Sequence, residues 1–293
     1  MARMPYAFVD GALDRAEHLR TDTAAIAALW PNARVLLLDD DGRALADGQL
    51  APYLPEAASL AELDPVAAVF LGLHGGQGWF ALSAGAFAER APERIDLRTA
   101  AATWPVMEAT AFAQARAVLH WRARQRHCGA CGGALTFVRA GWLGHCGPCA
   151  LEHYPRTDPA VIVAVSDGAR LLLGRQAGWP PRRWSVLAGF VEPGETLEQT
   201  VAREVFEESR VRVRASRYLA SQPWPFPGSL MLGFEADAEP DEPVVSDELE
   251  AARWFGRDEI GAALRGETRD AGLLLSPRIS ISRWLVEQWW ERG

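Results

Sequence analysis

The sequence predicts an α+β protein in three parts, and three observations carry that prediction. Residues 1 to about 103 hold strand-like apolar pieces separated by turn signals; all four cysteines crowd between 128 and 149; and beyond Tyr154, strands and Gly-Pro turns surround a single strongly patterned helix. The reading that follows is an N-terminal mixed α/β domain with a connector helix over 1–125, a small cysteine module over 126–153 and a C-terminal domain over 154–293. A chain of 293 residues has room for two domains with such a module between them. The net charge of −8 argues against a broad electrostatic surface for nucleic acid, yet it leaves room for an anionic substrate whose charge is screened by divalent cations. No apolar run approaches a membrane span, and "MARMPYAFVDGALDRAEH" carries charges throughout rather than a signal-peptide core. The expectation is a soluble, cytoplasmic protein with no membrane partner.

In the N-terminal part, "ARVLLLDDDGRALAD" reads as strand, Asp-Gly turn, strand, and "VAAVFLGL" with "GWFALSA" reads as a second hairpin across "HGGQ". His74, beside two glycines, is an ordinary loop histidine. Residues 105–125, "PVMEATAFAQARAVLHWRARQ", are rich in alanine, and Val106, Ala109, Phe112, Ala113 and Leu119 support a connector helix. At the other end "RISISRWLVEQWW" reads as a terminal amphipathic helix whose tryptophans pack.

The cysteine module contains two Cys-x-x-Cys pairs, Cys128/Cys131 and Cys146/Cys149, with a hairpin-like stretch between them. Glycines at 129, 132 and 147 permit the tight turns that aim backbone N–H groups at thiolate sulfur. Two such knuckles suit tetrahedral Zn²⁺, and four thiolates close the coordination shell, so the zinc is expected to be structural. A redox Cys-x-x-Cys lacks a thioredoxin-like context here, and His127, His145 and His153 are alternative ligands that a four-cysteine site does not need.

The patterned helix follows "LAGFVEPGET". Thr196 and Gln199 have capping-box spacing, and Val201, Ala202 and Val205 lie on one arc expected to face the core. Glu204, Glu207 and Glu208 fall within about one turn of each other, where like charges repel by a few tenths of a kcal/mol per pair. A solvated acidic face is the plain reading of three such residues. Convergent carboxylates are also what Mg²⁺ or Mn²⁺ requires.

The surroundings shift that balance, because the stretch 189–211 resembles the Nudix box, G-x5-E-x7-R-E-U-x-E-E-x-G-U with U aliphatic. Gly189, Glu195, Arg203, Glu204, Val205, Glu207, Glu208 and Val211 match it. Arg210 stands where the pattern has glycine; that position follows the helix, where a left-handed backbone is common and a non-glycine residue pays on the order of 1 kcal/mol. The resemblance implies a C-terminal Nudix α/β/α sandwich with a mixed sheet. It implies that Glu204, Glu207 and Glu208 bind catalytic Mg²⁺ or Mn²⁺, with Glu204 or a neighbour activating water. Gly189, Glu195 and Arg203 then support the site, Arg203 by pairing with Glu195.

"SQPWPFPGS", 221–229, reads as a rigid aromatic loop, and packing alone would explain its rings. It is also similar to the signature of the bacterial NADH pyrophosphatase (NAD-capped RNA hydrolase) group of Nudix enzymes, which have an N-terminal domain, a four-cysteine ribbon and a Nudix domain in this order. That resemblance implies substrate contacts from Tyr154, Phe190, Ser221, Gln222, Trp224, Phe226, Ser229 and Ser282, and a further metal ligand in Glu248. Tyr154 and Phe190 would stack on a flat base, the reading preferred over a strand edge for Tyr154 and a core position for Phe190. The implied reaction is hydrolysis of the NADH or NAD⁺ pyrophosphate to AMP and nicotinamide mononucleotide. The alternatives are removal of an NAD cap from RNA by the same cleavage, and a zinc-ribbon nucleic-acid-binding protein with an inactive hydrolase domain. A homodimer is implied by the resemblance alone.

Overall fold

The computed structural model describes residues 6–9, 11, 13–60, 67–267 and 272–292. The chain forms two compact units. One comprises Ala7–Thr157 together with Trp224–Gly228; the other comprises Tyr6, Asp158–Pro223 and the chain from Ser229 onward.

In the first unit, α1 (Thr23–Leu29) leads into β1 (Arg34–Leu38) and β2 (Ala44–Ala46), which pair antiparallel across the Asp-Gly turn. β3 (Val69–His74) and β4 (Gln77–Ser83) form the second expected hairpin, and β5 (Glu93–Ile95) completes a sheet of order β3-β4-β1-β2-β5. β1 runs parallel to β4. Both faces of this sheet are covered. Leu36 and Leu38 enter one core with Phe112 and Trp121, whereas Val35 and Leu37 enter another with Ile26, Trp30 and Phe80. Two-sided burial is why β1 is a continuous apolar run rather than an alternating one.

α2 (Leu97–Thr103) is capped by Asp96, whose carboxylate accepts from the Arg98 and Thr99 amides. The connector helix is α3 (Val106–Arg124), with Ala109, Phe112, Val118 and Trp121 buried. Beyond it, β6 (Leu135–Val138), β7 (Leu143–Cys146) and β8 (Glu152–His153) form the small ribbon sheet.

The second unit is built on β9 (Asp158–Ser166) and β10 (Arg170–Arg175), with β11 (Leu187–Phe190), α4 (Leu197–Ser209), β12 (Val213–Trp224), β13 (Ser229–Ala238), β14 (Ala251–Gly256), α5 (Arg257–Arg265) and α6 (Ile281–Glu291). Its sheet order is β12-β13-β9-β10-β14, with β11 also paired to β9. The β13–β9 pair is parallel and the β9–β10, β10–β14 and β9–β11 pairs are antiparallel, so the sheet is mixed. Val161, Val163 and Val165 of β9 pack with Val201 and Val205 of α4. On the other face Ile281 of α6 lies against Gly233, so the sheet is sandwiched between helices. Among the described residues no helix is long and apolar enough to cross a membrane.

Two details differ from the sequence reading. Ala202 is exposed rather than core-facing, because the buried arc of α4 turns toward Glu204 and Glu208 instead. The stretch 221–229 is not one loop: β12 continues through Trp224, a turn covers 225–228, and β13 starts at Ser229. Pro223 is tolerated inside a strand because β12 lies at the sheet edge.

Candidate active site

α4 starts where the capping box predicts: the Gln199 amide donates to Thr196 Oγ1 at 3.3 Å, and the Thr196 amide donates to Gln199 Oε1 at 2.8 Å. This closed first turn sets the rotation of the helix, and with it the directions of its glutamates. Arg203 is the hub. Its Nε and Nη2 donate to the two Glu195 oxygens at 2.6 and 2.8 Å, Nη2 also reaches the Phe190 carbonyl at 2.9 Å, and Nη1 lies 3.0 Å from both Glu204 Oε1 and Glu207 Oε2. The Thr200 hydroxyl and the Glu192 amide complete the Glu195 carboxylate. The Arg203 guanidinium first, then the Glu192 amide, holds Glu195 down at about 2.

Gly189 has a steric reason. A Cβ built there would lie 1.8 Å from Glu204 Cδ, so the carboxylate occupies the space a side chain would take. Glu204 is 9 % exposed and Glu208 5 %, whereas Glu207 faces solvent. Burial, followed by the negative charges of Glu204 and Glu248, pushes Glu208 up to about 8, although the Ala188 amide donates to it. Burial is also the first cause of the raised Glu204 carboxyl, with Glu207 and Glu248 adding to it against the pull of Arg203. Glu248, in the exposed segment before β14, thus acts electrostatically on the two buried glutamates. One Glu208 oxygen, Oε2, is buried without a hydrogen-bond partner. A buried carboxylate oxygen left unpaired beside two more carboxylates is a donor set that a hard divalent cation compensates. The residues present therefore fit the divalent metal that the Nudix box implies.

The cysteines are closer together than the glutamates. Among the described residues, Cys128, Cys131, Cys146 and Cys149 form the one compact ligand group, with every sulfur within 4.8 Å of the others. The Sγ–Sγ separations Cys128–Cys149, Cys131–Cys146 and Cys131–Cys149 are 3.6, 3.4 and 3.4 Å, near the edge of about 3.8 Å of a tetrahedron with Zn–S bonds of about 2.3 Å. The Ala130 amide points at Cys128 Sγ at 3.4 Å, the knuckle geometry expected from the neighbouring glycines. No histidine belongs to the group.

The aromatic and polar positions separate into exposed and committed residues. Tyr154 is 56 % exposed in the first unit and its hydroxyl donates to Glu152; Phe190 is 57 % exposed at the end of β11 in the second. Neither is a core residue. Gln222 is fully buried: its amide nitrogen donates to the Ile279 carbonyl at 2.8 Å and its oxygen accepts from the Ile281 amide at 2.8 Å. Its side chain therefore ties β12 to the start of α6 instead of standing open to a ligand. Ser282 is buried too, its hydroxyl 2.8 Å from that of Ser185 and donating to Ser276 at 3.2 Å. The Ser221 carbonyl accepts from Tyr6, and Ser229 opens β13 opposite Asp158. Trp224 and Phe226 pack on the N-terminal core. Sequence reasoning missed Thr200 and the Glu192 and Ala188 amides. A hydroxyl inside a helix and a backbone N–H carry no residue-type signal of such a role.

Family comparisons agree with this three-part order. A NADH pyrophosphatase-like rudimentary NUDIX domain matches residues 17–121, a NADH pyrophosphatase zinc ribbon domain matches 123–154, and a NUDIX domain matches 156–275. The chain is 44 % identical over 289 residues to the NAD-capped RNA hydrolase NudC of Mycobacterium bovis (strain BCG / Pasteur 1173P2), covering 94 % of this chain and 92 % of that protein. It is 43 % identical over the same length to the NudC of Mycobacterium tuberculosis (strain ATCC 25618 / H37Rv), with the same coverage. It is 42 % identical over 193 residues to the NAD-capped RNA hydrolase NUDT12 of Homo sapiens, covering 62 % of this chain and 42 % of that one. The chain belongs to the Nudix hydrolase family, in the group that carries a rudimentary NUDIX domain and a zinc ribbon ahead of the NUDIX domain.

Proposed function

We propose that this protein hydrolyses the pyrophosphate bond of NADH or NAD⁺, giving AMP and nicotinamide mononucleotide, and that it makes the same cut in RNA carrying an NAD cap. The observation that carries the reading is the buried Glu208 carboxylate, one oxygen of which has no hydrogen-bond partner, beside buried Glu204, which Arg203 braces together with Glu195. Similarity to proteins named NAD-capped RNA hydrolase supplies the substrate class.

Mg²⁺ or Mn²⁺ held by Glu204, Glu207, Glu208 and Glu248 would supply positive charge against the pyrophosphate and lower the pKa of the attacking water. The protein's own part is orientation. The Glu195–Arg203 pair fixes the rotamers of Glu204 and Glu207, and the missing side chain at Gly189 lets the Glu204 carboxylate sit flush on β11. The proton lost by water needs an acceptor, and the carboxylate of Glu204 or of a neighbouring glutamate of the cluster would take it. Exposed Tyr154 and Phe190 offer ring faces to the flat bases of a dinucleotide, and stacking on either costs no core packing. Ser221 and Ser229 flank the motif turn as polar contacts, while Gln222, Trp224, Phe226 and Ser282 serve by shaping their surroundings. The ribbon's zinc is a folding element, since four thiolates leave no open position.

The Nudix domain proper is taken as 154–293, following the ribbon at 126–153 and the N-terminal domain at 1–125. A homodimer, which rests on the resemblance alone, and a cytoplasmic location, which rests on the sequence, complete the reading; light scattering after size exclusion reads the subunit count. The function is tested with a panel of NADH, NAD⁺ and NAD-capped RNA, each with Mg²⁺ or Mn²⁺ and with product identification. Release of AMP and the nicotinamide mononucleotide, or a 5′-monophosphate on the RNA, supports it. Binding of RNA without cleavage of any of the three would return the protein to the class of inactive hydrolase domains.

A further inference from the structure

The turn between β12 and β13 has an unusual attachment. Prolines at 223, 225 and 227 remove three backbone donors, so a ladder of main-chain hydrogen bonds cannot hold the tip. Within the tip the Phe226 amide donates to the Trp224 carbonyl at 2.7 Å. The remaining restraint comes from side chains of α2 and α3. The Arg116 guanidinium donates to the Pro225 carbonyl and lies 5.2 Å from the Phe226 ring centroid. Arg98 lies 4.0 Å from the same centroid and 5.8 Å from that of Trp224. The two rings are tilted against each other at 4.9 Å, and Trp224 meets Phe8 at 6.4 Å.

Two guanidiniums around one ring repel each other. Burial and the nearby Arg98 charge both disfavour the charged form of Arg116. The Asp96 carboxylate acts against this, while also accepting from the Arg98 and Thr99 amides and the Thr99 hydroxyl. The tip adds to that offset with the π-face of Phe226 and the Pro225 carbonyl, which accepts from Arg116. A structure that places two cations this close has the tip as their shared partner.

We propose that Arg98 and Arg116 are positioning residues for substrate recognition. They clamp the Trp224–Phe226 tip in one conformation, and holding that tip is a task of the N-terminal domain. The inference rests on the hydrolase reading above. It adds that Arg98 and Arg116, by holding Trp224, Pro225 and Phe226, fix the shape of the tip that a dinucleotide meets. Gln222, locked two residues before the tip, and Ser229, locked in register at the start of β13, mean that the tip is the one part of this segment whose shape depends on the arginines.

The experiment measures kcat and KM for NADH in the full-length protein and in Arg98→Ala, Arg116→Ala, Arg116→Lys and Arg124→Ala. Arg98→Ala and Arg116→Ala are each expected to raise KM about tenfold with kcat little changed, which is what loss of one such contact amounts to. Arg116→Lys, which keeps a cation and a donor, recovers part of that loss. Arg124→Ala, which removes an exposed charge at the end of the same helix, leaves both constants unchanged. The exposed Arg98 side chain keeps the test available if Arg116→Ala does not fold. Unchanged KM in both alanine variants overturns the clamp, and so does a fall in kcat at constant KM. Failure of the wild-type protein to cleave any of NADH, NAD⁺ and NAD-capped RNA overturns the hydrolase reading, a result distinct from either.

Discussion

In the proposed mechanism Glu208 is one of the metal-binding carboxylates, and its environment predicts a measurable pH dependence. In the metal-free folded protein its carboxyl is pushed up to about 8 from an ordinary value of 4.5, first by burial and then by Glu204 and Glu248. Between those two values the folded state holds a proton that the unfolded state has released, so stability falls as pH rises across that window. Denaturation in EDTA should show this slope, and Glu208→Gln should flatten it; an unaltered slope would contradict the assignment. Gly189→Ala puts a Cβ where the Glu204 carboxylate sits, and a displaced ligand of this kind is expected to lower kcat by about a hundredfold. Arg210 has φ 59°, the left-handed conformation that its motif position predicts. Its guanidinium lies 5.3 Å from the Phe206 ring centroid, which repays part of the strain. Arg210→Gly should therefore raise stability by at most about 1 kcal/mol, read from the denaturant midpoint, and leave metal dependence unchanged. These positions were legible because motif spacing points to side-chain types. Thr200, and the amides of Ala188 and Glu192, were not, since their role comes from where β11 and the following loop meet α4.

At the scale of elements, α4 and the ribbon were the most readable parts of the chain. The capping box marked where α4 begins, and its apolar arc packs on β9 through Val201 and Val205. The exposed Ala202 was misread because alanine reports little about which side of a helix faces inward, whereas burial of Glu204 and Glu208 is set by the site. The stretch around Pro223 reads as a loop because proline breaks ladders, yet edge position lets β12 run on to Trp224. In the ribbon, Cys-x-x-Cys spacing was sufficient. A strong chelator under reducing conditions should loosen residues 127–153, seen as faster amide exchange there, while the β9–β13 ladder keeps its protection. Equal protection of the ribbon with and without chelator would show that the zinc is not a folding element.

For the whole molecule, the three-part order was legible from where the cysteines and the patterned helix fall, and the N-terminal sheet from its two hairpins. The N-terminal domain carried no cluster of titratable groups in the sequence, and its link to the Trp224–Phe226 tip could not be read there. That link joins residues more than a hundred positions apart, Arg98 and Arg116 with Phe226, and single-chain spacing holds no record of such a meeting. In the proposed function, buried glutamates on α4 make this chain a metal-dependent pyrophosphatase of NAD-type dinucleotides. The most direct measurement follows NADH and its products by chromatography for wild type and Glu208→Gln, with Mg²⁺ or Mn²⁺ and with EDTA. AMP and reduced nicotinamide mononucleotide are expected from the wild type with metal, and a loss of at least about a hundredfold in rate is expected with EDTA or in Glu208→Gln. Cleavage that survives EDTA, or that Glu208→Gln leaves at the wild-type rate, would contradict it.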